Sequence, residues 1–288
     1  YYYLEVRFGS WARIYASFCY LLTQLARMGA IMYLLALPMN ALFGWSISVI
    51  IIVTGISVIV YATLGGLEAV IWTDAIQGII LISGALACVG VILFSMPEGP
   101  GQVFSIAWEA DKFSLGSFDF SLSESTFWVI LIYGLFINLQ NFGIDQNYVQ
   151  RYISAKSEAE AIKSTWLGSL LYVPVSLLFF FIGTALFSYY QAMPGLLPEH
   201  LQGMEHSDRI FPHFIVTGLP VGMTGLLIAS IFAAGMSTVS TSINSSATVI
   251  LSDHYQKYIR KDVGEKESMT VLTISSILMG LVSIGVAL

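Results

Sequence analysis

Charge is what this sequence has least of. Asp, Glu, Lys and Arg make up 10% of its 288 residues, against about 25% in soluble domains. Twelve basic and 18 acidic side chains cannot clothe a water-facing surface of that length. The shortage excludes a soluble enzyme, a nucleic-acid binder and a disordered regulator. Cysteine is nearly absent: Cys19 and Cys88 both sit in apolar runs, which excludes a secreted disulfide framework. His200, His206, His213 and His254 lie in or beside expected loops without metal-ligand spacing, and no phosphate-binding glycine loop or HExxH motif occurs. What remains is 56% hydrophobic residues and a mean hydropathy of +0.78. The composition predicts an all-α polytopic membrane protein with no enzymatic centre.

A bilayer-crossing helix needs about 20 mostly apolar residues. Seven segments qualify: residues 14–37, 46–63, 75–94, 127–142, 164–189, 220–251 and 270–288. The fourth is short and carries Asn138, Gln140 and Asn141. The sixth is too long for one crossing and is expected to run on beyond the membrane as a helix. The chain begins Tyr1-Tyr2-Tyr3 and stops in an apolar run, so an internal piece of a longer polypeptide is expected.

The connections carry the charge. Placing loops on alternate sides puts Arg7, Arg13, Arg151, Lys156, Lys163, Lys257, Arg260, Lys261 and Lys266 on one face and only Lys112 and Arg209 on the other. The positive-inside rule makes the first face cytoplasmic, together with residue 1. Acidic residues such as Glu98, Asp119 and Glu205 gather in the opposite loops.

The twelfth cation, Arg27, is left inside the first segment, near the bilayer midplane. A central Arg costs roughly 2.5–3.5 kcal/mol on insertion scales, so it must face protein, water or an anion. Its flat fork of donors suits a carboxylate. One reading is a clamp for a substrate anion; the other is pairing with a membrane acid or helix-end carbonyls. In the sixth segment, Ala234, Ser237, Thr238, Thr241 and Ser245 recur at i, i+3, i+4, i+7 and i+11, a single helical stripe. Hydroxyls and a freed carbonyl would suit a hard cation such as Na⁺. Small residues and back-bonding hydroxyls also serve plain helix packing. Asp74 opens the third segment after Gly65-Gly66. It is either a cap beyond a glycine break or the one charged ligand of a cation.

These motifs resemble a known family. Tyr61-Ala62-Thr63-Leu64-Gly65-Gly66-Leu67-Glu68-Ala69, followed by Trp72-Thr73-Asp74, is similar to the signature of the sodium/solute symporters, which include sodium–glucose, iodide and sialic acid transporters. Gln150-Arg151-Tyr152 and the Ser/Thr-rich sixth segment with Asn244-Ser245 are similar too, in order and over essentially the whole chain. The resemblance implies a leucine-transporter-like bundle of two inverted repeats. It is incomplete here, with residues 1–288 forming part of one transmembrane domain, about core helices three to nine.

Carried over residue by residue, the resemblance implies a sodium site at the Ala234 carbonyl, Ser237 and Thr238, whose other ligands come from a preceding helix. It implies a second sodium site at Asp74, Ser240 and Thr241, with Ser237 shared. Arg27 matches the arginine that holds the substrate carboxylate in bacterial sialic acid transporters. Gly134, beside Tyr133, stands where some members place an aromatic. The expectation is a Na⁺-coupled symporter of a small, carboxylate-bearing solute in the plasma or bacterial inner membrane. Its partners are the solute, Na⁺ and the bilayer, with no nucleic acid and no obligate protein. A symporter of sugar or another neutral solute, a channel and a transporter-fused sensor are the other readings open at this point.

Overall fold

In the computed structural model, residues 1–203 and 207–288 are described; Glu205 and His206 lie outside the described residues. Ten α-helices occur among them: α1 (Tyr2–Phe8), α2 (Ser10–Phe43), α3 (Ile47–Phe94), α4 (Gly101–Glu109), α5 (Phe127–Ile144), α6 (Gln146–Ile153), α7 (Glu158–Ala192), α8 (Ser207–Thr217), α9 (Val221–Val249) and α10 (Glu265–Ala287). No strand occurs among the described residues. Six stretches are long and apolar enough to cross a bilayer, and Ile47–Thr63 is a shorter apolar helix.

Two expectations need correction. Residues 46–63 and 75–94 do not form separate helices with a break at Gly65-Gly66; α3 runs from Ile47 to Phe94. Glycine retains both backbone hydrogen-bonding groups and costs only about 1 kcal/mol relative to Ala in a helix, so two glycines in a long apolar run need not stop it. Pro220 is not inside a span. It caps α9 with extended backbone (ψ 145°), where its missing N–H is not needed. Pro174, in contrast, lies within α7. The sixth segment does continue as a helix, passing into a π-helical stretch over Ile250–Ile259.

The chain divides into two compact units. The first comprises Tyr1–Leu81 with Pro212–Leu288. Its core is built by α2, the first part of α3, α9 and α10, and includes Met28, Met32, Ile51, Val58, Val239, Ile243 and Met279. Small residues bring these helices close, as membrane interiors favour. The Leu35 side chain occupies the space a Cβ on Gly235 would fill, and Ile59 does the same at Gly280. Gly44 ends α2 in the left-handed conformation (φ 66°) that glycine adopts freely.

The second unit, Ile82–Phe211, packs α4 on α7. The Ser188 hydroxyl donates to the Val103 carbonyl at 3.0 Å, and Phe104 stacks on Phe181 with ring centres 5.5 Å apart. Its helices start on polar side chains: Thr126 caps α5, Asp145 caps α6 and Ser157 caps α7. The polar Asn138 of α5 returns its amide to the Gly134 carbonyl at 2.7 Å, which removes the cost of carrying it in a span. Many large apolar side chains, among them Leu131, Phe136 and Leu170, remain exposed. That surface suits lipid and helices rather than water.

Candidate cation stripe and charged ends of the first unit

The hydroxyl stripe lies on α9, which buries it. Ser240 and Ser245 are fully buried, and Ser237 and Thr241 nearly so. The Ala234 carbonyl accepts from the Ser237 hydroxyl at 3.0 Å and the Thr238 hydroxyl at 2.9 Å. Ser240 donates to the Ser237 carbonyl at 3.0 Å, and Ser245 to the Ser242 carbonyl at 3.2 Å. These bonds place the hydroxyl protons on the helix backbone. A hydroxyl keeps acceptor lone pairs after it donates, so each oxygen stays able to face a cation. Thr241 departs from the pattern: its buried Oγ1 has no hydrogen-bond partner.

Asp74 lies half-buried on α3 in the same unit. The side chains of residues 64–70 and 73, which carry much of the family-like motif, lie outside the described residues. Among the described residues no group of three His, Cys, Asp or Glu could hold a metal ion. The oxygens offered by α9 are neutral and hard, a set suited to Na⁺ rather than to a transition metal.

Arg27 is near the middle of the apolar stretch Ser10–Asn40 and is exposed. It makes no hydrogen bond or ion pair among the described residues.

In the second unit, a cavity of about 900 Å³ is lined by Phe127, Leu131, Gly134, Asn138 and Ser169. Gly134 lines it, but Tyr133 is largely exposed. The wall is mostly apolar and carries no charged side chain, its polar side chains being Asn138 and Ser169.

Sequence reasoning missed an ion cluster at one end of the first unit. Arg13 donates through Nε to Asp253 (2.7 Å), through Nη1 to Glu5 (2.7 Å) and through Nη2 to the Ser252 carbonyl (2.8 Å). Lys257 also pairs with Glu5, and Ser17 meets His254 at 3.1 Å. Lys257 first, then Arg13, hold the Glu5 carboxyl down to about 2 by hydrogen bonds and charge. Arg13 and Asp253 are 240 residues apart, a separation that leaves no local pattern. The cluster joins the start of α2 to the π-helical stretch that follows α9, and Arg260 pairs with Glu267 nearby in sequence. It gathers Arg13 and Lys257 at the end that loop charge assigns to one side.

Comparison with known proteins agrees with these observations. The profile of the Sodium:solute symporter family matches residues 2–288. The sodium/sialic acid symporter of Proteus mirabilis is 37% identical over 284 residues, covering 98% of this chain and 56% of that protein. The human sodium-coupled monocarboxylate transporter 1 is 30% identical over 290 residues, covering 100% of this chain and 47% of that protein. The chain thus spans about half the length of the curated relatives it matches. A solved substrate-bound, outward-open Na⁺-coupled sialic acid symporter superposes with a TM-score of 0.93 at 36% identity. That match covers 100% of this chain and 60% of the solved one. The fold is therefore the leucine-transporter-like helical bundle, represented in part, in a multi-pass membrane protein. The chain belongs to the sodium:solute symporter family.

Proposed function

We propose that this chain is part of a Na⁺-coupled symporter that imports a small organic solute bearing a carboxylate, by alternating access. The observation that carries the reading is Arg27, a permanent cation in mid-span, exposed and unpaired among the described residues. It is a group that awaits an anion. The relatives point the same way: two are sodium/sialic acid symporters and one a sodium-coupled monocarboxylate transporter.

In this reading the Ala234 carbonyl with Ser237 and Thr238 contributes to a first sodium site. Asp74 with Ser240, Thr241 and a shared Ser237 forms a second. The bonds of Ser237 and Thr238 to Ala234 converge three oxygens on one turn of α9, and the unpartnered Thr241 oxygen sits one turn further on. Residue 1 faces the cytoplasm, by the distribution of Lys and Arg.

Uptake of labelled sialic acid and monocarboxylates by the full-length protein tests this, with external Na⁺ replaced by choline. Uptake that continues unchanged in choline refutes sodium coupling. Arg27→Met removes a charge-assisted pair worth about 3 kcal/mol, which predicts about a 100-fold rise in the half-saturating carboxylate concentration. A neutral hexose that competes equally in parent and variant would instead favour a neutral-solute symporter.

A further inference from the structure

The seam between α2 and α9 holds a polar pair that neither sodium site uses. Ser17, Gln24, Met28 and Leu35 recur on α2 at i, i+7, i+11 and i+18, one stripe of the helix. Gly235, Ser242 and Ser246 recur on α9 at i, i+7 and i+11, and Asp253 follows in its π-helical continuation. The two stripes face each other antiparallel, as contacts at both ends show. Leu35 covers Gly235, while at the far end Ser17 meets His254 and Arg13 meets Asp253. Counting eleven residues inward from the Leu35–Gly235 contact sets Gln24 level with Ser246, and counting seven inward from Ser17–His254 comes within one residue of it. Gln24 is 1% exposed and Ser246 0%. Gln24 Oε1 and Ser246 Oγ are both buried without a hydrogen-bond partner. Of the α9 residues given to sodium only Thr238 borders this stripe, two turns from Ser246, and neither Gln24 nor Ser246 is among them.

We infer that Gln24 and Ser246 form a buried hydration site, in which one water molecule bridges α2 to α9 and sets the level of Arg27 against the hydroxyl stripe. Water fits better than a cation, because a hard cation gathers about six oxygens, whereas a buried water is satisfied by two to four polar partners. Here a water donates to Gln24 Oε1 and exchanges a hydrogen bond with the Ser246 hydroxyl. An unbonded amide oxygen in this core would be costly, and the bridge removes that cost. Arg27 lies three residues beyond Gln24, so the bridge fixes its helix directly. That last consequence rests on the proposed transport function; the hydration site does not.

The test is thermal melting of the purified full-length protein in detergent, as the parent, Gln24→Met, Ser246→Ala and the double variant, in NaCl and in choline chloride. A bridging water predicts that each single change lowers the midpoint by about 2–4 °C in both salts. The double variant then falls no further than the lower single. A midpoint that is unchanged or raised in the single variants overturns the site, since deleting an orphan polar atom is neutral or stabilising. Additive losses overturn the shared bridge, and a loss confined to NaCl replaces water with a sodium ion. Should Gln24→Met not fold, Ser246→Ala alone decides by the same sign. For the register-setting role, uptake by Ser246→Ala should show half-saturating sodium and solute concentrations raised together, about threefold. If neither moves, that role is overturned. Parent uptake that ignores Na⁺ would sink the transport reading, while the melts would still decide the hydration site.

Discussion

Arg13→Met isolates the ion cluster that joins α2 to the π-helical stretch after α9. Arg13 is 8% exposed and Asp253 4%, and their contact is 2.7 Å long. At an effective dielectric of about 20, that distance corresponds to roughly 6 kcal/mol of attraction, much of it offset by the desolvation of two buried ions. Methionine fills a similar volume but deletes three donors at once: those to Asp253, Glu5 and the Ser252 carbonyl. Asp253 then loses its guanidinium partner. Stranding a buried charge in this way costs about 3–5 kcal/mol, which predicts a melting midpoint lower by about 6 °C or more for the purified protein. The sign of the double variant is the sharper test. Arg13→Met with Asp253→Asn removes the stranded charge and should melt higher than Arg13→Met alone. If Arg13→Met melts within about 1 °C of the parent, or if the two losses simply add, the cluster is a solvated surface pair and the reasoning is refuted.

Three further outcomes follow from named contacts. Lys257 and Arg13 hold the Glu5 carboxyl down to about 2 from an ordinary 4.5. Its contribution is therefore full above pH 4.5 and is lost as pH falls through 2; the protection of α1 amides, relative to their intrinsic exchange rates, should fall across that window in the parent and stay level in Glu5→Gln. Gly280→Ala drives a Cβ into the Ile59 side chain, an overpacking expected to cost about 1–3 kcal/mol. Melting should show the loss and its partial recovery when Ile59→Ala is added. Asp74→Ala should lower the measured Na⁺:solute ratio by one while uptake remains Na⁺-dependent, and an unchanged ratio above one removes Asp74 from the second sodium site.

Much of this architecture could be read from sequence because the bilayer enforces it. A run of about 20 apolar residues has few alternatives to a helix. Six of the seven expected segments accordingly recur as stretches able to cross. The boundary at Gly65-Gly66 was not legible, since a glycine pair weakens a helix without dictating its end, and α3 continues. The hydroxyl stripe was legible as a pattern, but not its bonding. Whether Ser237 and Thr238 share the Ala234 carbonyl while Thr241 stays unbonded depends on rotamers that periodicity does not encode. The Arg13–Asp253 pair lay beyond reach for another reason. Both residues sit where spans were expected to end, so each looked like an ordinary loop-side charge. Only antiparallel packing of α2 on α9 brings them within 2.7 Å.

The same packing explains why so few charges suffice. On the proposed reading, a carboxylate that moves inward with one Na⁺ carries no net charge and gains nothing from the membrane potential. With two Na⁺ the complex carries one positive charge and gains about 2.3 kcal/mol per 100 mV, which is between one and two decades of accumulation. On that reading Arg27 offers the anion a fixed countercharge, while neutral hydroxyls and one carboxylate, Asp74, receive the sodium ions. If both sites were lined with full charges, ions would bind too tightly to leave in a low-dielectric interior. Neutral oxygens whose protons already rest on the backbone bind through lone pairs alone. On that reading, the near-absence of charge within the spans is the same property that lets the sodium ions be released.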